Sequence, residues 1–125
     1  MNKNTNAIAF GLVVATFFAA ANANADIRVT CEQRADRSVV SVDAKNLVPG
    51  TYKAEIISGN NEAISGDVAS IGDEVKVDFS SQRKDQAAGA VAIPAIFIQG
   101  GTVTGQVINA DNMVVTQAAA KCAVK

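Results

Sequence analysis

Apolar and polar residues alternate with a period of two in one segment after another from Ile27 onward. Ile27, Val29 and Cys31 alternate with Arg28, Thr30 and Glu32, and Val40, Val42 and Ala44 alternate with Ser41 and Asp43. Tyr52, Ala54 and Ile56 alternate with Lys53 and Glu55, and Val75, Val77 and Phe79 alternate with Glu74, Lys76 and Asp78. Successive side chains of a strand point to opposite faces, so each segment reads as a strand with one buried face. Thr102–Ile108 places Val103, Gly105 and Val107 on one face, and Met113–Gln117 and Lys121–Val124 complete the set. Ala63–Ile71 is weaker and reads as one short edge strand.

Turn chemistry separates these segments. Pro49-Gly50 suits the centre of a type II turn, with Gly50 at positive φ and Leu47 packed beneath. Ser58-Gly59-Asn60-Asn61, Gly72-Asp73, Gly100-Gly101 and Asn109–Asn112 are further turn signals, Arg34–Arg37 is a polar turn, and Ser80–Gln86 reads as a polar loop. The pattern predicts an all-β domain: a small antiparallel β-sandwich of about seven to nine short strands.

One run breaks the alternation. Ala87–Ile98 carries no charge and contains Gly89 and Pro94, which argue against one long helix. It reads as a loop or edge segment up to Pro94, then a buried strand over Ala95–Ile98. Two roles are open to it. It is either a core strand with its approach loop, or an exposed apolar edge that meets a protein partner or another copy of the chain. The second role makes Val91, Ile93 and Pro94 the candidate contact surface, with Ile96 and Ile98 structural.

The first 25 residues have the plan of a secretory leader: Lys3, the uncharged Ala7–Ala20, and the small-x-small site Ala23-Asn24-Ala25. The expected domain therefore runs over 26–125, in the periplasm or outside the cell. Asp26, rather than a cysteine, follows the cut, so no lipid anchor is expected, and no second apolar run suggests a membrane span. Without Lys3 the 11 basic and 12 acidic residues become 10 and 12, a net charge of −2 scattered singly. That balance, with no Trp and a single Tyr, speaks against a nucleic-acid partner. Cys31 and Cys122 are the only cysteines, and export makes one terminal-to-terminal disulfide the leading reading over an intermolecular bond.

Leu47-x-Pro49-Gly50-x-Tyr52 resembles a turn common in immunoglobulin-like and fibronectin-type β-sandwich modules, which implies that fold and no particular activity. The same stretch is faintly similar to the turn of copper–zinc superoxide dismutases. Tyr52, Ala54 and Ile56 stand where that family places histidines, so its activity does not carry over.

Candidate chemistry is sparse. The chain has no His, which removes Ser-His-Asp and Cys-His pairs and every His-ligated metal site. Ser81-Gln82-Arg83-Lys84 matches Ser-x-x-Lys but lacks the companion motifs of penicillin-binding enzymes. Asp73, Glu74 and Asp78 are the nearest to a carboxylate pair, yet Glu74 and Asp78 fit the solvent face of a strand. Asp67, Asp73 and Asp111 sit at turns, where Asp caps its own backbone, without calcium-loop spacing. No catalytic, cofactor or metal residue is assigned. The expectation is an exported, non-catalytic binding or structural module, with a self-assembling fibre subunit as the second reading and a carboxylate- or metal-dependent enzyme as the third.

Overall fold

A computed structural model describes residues 24–124; most of the leader expected over 1–25 lies outside the described residues. Ten strands and one short helix follow each other: β1 (Asp26–Arg34), β2 (Arg37–Lys45), β3 (Thr51–Ser58), β4 (Asn61–Ile64), β5 (Val68–Ala69), β6 (Val75–Ser80), α1 (Arg83–Ala87), β7 (Val91–Ala92), β8 (Thr102–Asn109), β9 (Val114–Lys121) and β10 (Ala123–Val124). They form two sheets, in the orders β10-β1-β2-β6-β7 and β4-β3-β8-β9, with β5 also paired to β3. The predicted β-sandwich is therefore the observed architecture. Its pairings are antiparallel except β1–β10 and β6–β7, which are parallel.

The period-two pattern sets the inner faces. Val40, Val42 and Ala44 of β2 and Val75, Val77 and Phe79 of β6 face Tyr52, Ala54 and Ile56 of β3 and Val103 and Val107 of β8, all buried. The two sheets approach closely at Gly105, where a Cβ would lie 2.7 Å from Val29 Cγ2 and 3.1 Å from Val42 Cγ2. On one side β1 lies beside β9. There Cys31 is bonded to Cys122 with Cα atoms 4.5 Å apart, across 91 residues of sequence. The chain passes from one sheet to the other at Cys122, whose N–H donates to Gly101 O at 2.8 Å before Ala123 pairs with Glu32.

Several expectations need correction. Gly50 does not take positive φ; Asn46 does, at 60°. The 46–50 turn is instead braced from outside, with Gly50 N donating to Ser70 Oγ and Ser70 N to Gly50 O. Leu47 is buried under it as expected. The single edge strand over Ala63–Ile71 is two, β4 and β5. Ser65 bulges between them, its N–H donating to Ala54 O while its Oγ accepts from Ala54 N. The expected loop over Ser80–Gln86 gives way from Arg83 to α1, which ends at Ala87.

The Ala87–Ile98 run departs furthest from its reading. No strand forms over Ala95–Ile98. Phe97 N donates to Pro94 O at 3.1 Å, which closes a turn with Ile96 at its tip, 80% exposed. Phe97 and Ile98 fill the core instead. Ile93, expected on the surface, is 5% exposed, because its N–H donates to Ser80 O and so continues the edge begun by β7. Of the predicted contact trio, only Pro94 is exposed and Val91 half-buried.

Candidate binding groove on the open side of the sandwich

The side opposite the disulfide is open. A groove of about 580 Å³ lies there between the 65–68 connection, residues 76–78 of β6 and the 88–91 segment that leads into β7. Its volume falls in the range of small-ligand and peptide sites. Gly66 and Gly89 line it with free space where a Cβ would stand.

The wall formed by α1 is held by Ser80. The buried Ser80 Oγ donates to Asp85 Oδ2 at 2.7 Å and accepts from Gln82 N at 3.0 Å. Ser80 O accepts from Gln86 Nε2, and Asp85 O accepts from Ala90 N. These bonds return the chain from α1 to the edge of β6.

The backbone of β6 facing the groove is incompletely paired. Backbone N–H and C=O groups of successive strand residues point to opposite sides. Ser80 O faces β7, since it accepts from Ile93 N at 3.1 Å. Glu74 faces the same side and exchanges two bonds with Ile71, at 2.9 and 3.1 Å. Lys76 and Asp78 lie between them in the same phase, so their N–H and C=O groups face the groove. The parallel Phe79–Val91 pairing joins Val91 N–H to the Asp78 C=O, and the Ile71 bridge ends at Glu74, so among the described residues no strand lies opposite the Lys76 N–H and C=O and the Asp78 N–H.

The residues weighed for chemistry do not converge. Ser81 Oγ accepts from Ser38 N at 3.0 Å, and Lys84 is exposed on α1. Asp111 does not cap its turn; Asn109 Oδ1 does, accepting from Asp111 N and Met113 N. On the outer face of β1, β2 and β6, strand register places Arg28, Asp43 and Lys76 in one row and pairs Asp26 with Lys45 in the next, an alternation of sign that supports the sheet. Ser41 Oγ donates to Asp78 Oδ1 at 2.6 Å in the row beyond. Among the described residues no three His, Cys, Asp or Glu side chains are grouped to hold a metal ion.

The Glu74 carboxyl is displaced upward from its ordinary value. The largest cause is the hydrogen bond its acid form makes to Asp43, followed by desolvation and by the Asp43 charge, with Lys45 opposing. With both groups ionised no donor is present, and Asp43 Oδ1 is buried without a partner. This pair is at the sheet surface and does not line the groove.

Of the residues named from sequence, Asp67, Asp78 and Val91 line the groove, whereas Ile93 and Pro94 do not. Lys76 and Asp78 were legible as the outer face of a strand, but alternation does not distinguish a central strand from an edge. Their one trace is the charge that edge strands carry. No protein-family model matches the chain, and no curated protein matches it.

Proposed function

We propose that the chain is an exported, non-catalytic binding module that takes a peptide segment of a partner protein in the groove beside β6. The observation that carries this reading is the set of open backbone groups, the Lys76 N–H and C=O and the Asp78 N–H, facing a cavity of matching scale. The bonded Cys31–Cys122 pair supports an oxidising compartment and agrees with the leader pattern. No described helix is long and apolar enough to cross a membrane. The absence of His and the use of surface carboxylates in cross-strand rows support binding rather than catalysis.

The test is an array of random peptides of about four residues, a length that spans the open edge, probed with the oxidised protein and with Gly66→Trp. Gly66 has no strained φ and open space at Cβ, so the indole fills the groove without disturbing the core. The reading predicts a retained subset of peptides that Gly66→Trp loses. An array that stays silent, or one that Gly66→Trp leaves unchanged, contradicts it.

A further inference from the structure

The open stretch of β6 is short and bounded. Ile71 occupies the edge at Glu74, and β7 occupies it from Phe79. About four residues of extended chain span the interval at the ordinary strand rise. A second copy pairing its own β6 here in antiparallel register would bring its residues 74 and 75 against β7 and its Ser80 against Ile71. The interval is therefore too short for the β6 of a second copy and suits a short segment of another chain.

The charge of the groove narrows that segment. Asp67, Asp78 and Asp85 line it with a single ammonium, Lys76. Hydroxyl groups orient two of these carboxylates without neutralising them: Ser41 for Asp78 and Ser80 for Asp85. Among the described residues, Asp67 alone of the three forms an ion pair, with Lys53 Nζ at 3.8 Å. The apolar floor is Val68, Val77 and Val91.

We propose that the groove takes a short extended peptide with basic side chains, paired as an added strand on the Lys76 and Asp78 backbone of β6. This rests on the reading of the groove as a binding site. The added strand exchanges bonds with the open N–H and C=O groups, as in other cases of strand addition. Alternate side chains enter over the valines, and the others meet the carboxylates.

The experiment is fluorescence anisotropy with three labelled peptides alternating Val with Lys, Val with Thr or Val with Glu. The oxidised protein binds them in that order of affinity. Lys76→Pro removes a groove-facing N–H but none of the β2 ladder, a substitution that edge strands accept, and weakens the Lys peptide by about tenfold. Backbone N-methylation of alternate residues in that peptide gives the same loss without altering the protein. Asp78→Asn with Asp85→Asn removes the preference for Lys over Thr. Affinity unchanged by both Lys76→Pro and N-methylation overturns the strand pairing. Equal affinity for the Lys and Glu peptides overturns the charge assignment. A dimer in sedimentation that Lys76→Pro abolishes assigns the edge to a second copy and overturns the proposal. Failure of all three peptides while a Gly66→Trp-sensitive subset persists on the array sinks this inference alone. A silent array removes the binding-site reading itself.

Discussion

The Ser80 hydroxyl donates to the Asp85 carboxylate at 2.7 Å, and that bond fixes α1 against β6. Ser80 is buried, and its Oγ also accepts from Gln82 N. The helix is only five residues long, too short to be stable alone, so it is held by this tie rather than by propensity. Ser80→Ala leaves the Gln82 N–H and one Asp85 oxygen without that partner. We expect a loss of about 1–3 kcal/mol in urea unfolding, with the slope unchanged. Peptide affinity falls with it, because one wall of the groove loosens.

Ile93 and Ile96 are three residues apart and have opposite surroundings, at 5% and 80% exposure. Ile93→Asp buries an unpaired charge and costs several kcal/mol. Ile96→Asp sits at a turn tip and changes stability by no more than about 0.5 kcal/mol. Thermal melting of the two variants checks the pair. Equal losses would mean that the 94–97 turn is not formed.

Gly105 marks a close approach of the sheets. Gly105→Ala places a methyl 2.7 Å from Val29 Cγ2, and we expect overpacking to cost about 1–3 kcal/mol. The double variant with Val29→Ala should recover part of this loss in chemical denaturation. Additive losses would contradict the contact.

Stability should depend on pH through Glu74. Its folded-state value lies above the ordinary 4.5, through the hydrogen bond to Asp43 first. The native state therefore holds the proton more tightly than the unfolded chain. The associated stability is fully present below pH 4.5 and is lost as pH rises through the raised folded value. Glu74→Gln keeps a donor to Asp43 at every pH. Its melting temperature should match the parent in acid and exceed it progressively toward neutral pH. A difference that does not change with pH would contradict the pairing.

Much of the fold was legible in the chain, and the reason is local. Alternation at Val40–Ala44, Tyr52–Ile56 and Val75–Phe79 is a property of neighbouring residues, and so are the glycines at turns such as Gly100-Gly101, both at positive φ. Cys31 and Cys122 were the only available pair. The 87–98 run was misread because an uncharged segment without period does not say which residues face inward. Ser38 Oγ donates to Ala95 O and Asn61 Nδ2 to Phe97 O. Those long-range bonds pin the turn that buries Phe97 and exposes Ile96. The groove was not legible at all. Whether Lys76 and Asp78 face a neighbouring strand depends on where β7 stops, which is a tertiary fact.

Amide hydrogen exchange followed by NMR tests the open edge of β6 most directly. Lys76 and Asp78 point their N–H groups into the groove, whereas Val77, opposite Val42, points its own toward β2. In the free oxidised protein we expect fast exchange at Lys76 and Asp78 and strong protection at Val77. Saturation with the Val-Lys peptide should slow the first two and leave Val77 as it was. Protection at Lys76 and Asp78 equal to that of Val77 in the free protein, or unchanged fast exchange in the saturated complex, would contradict it.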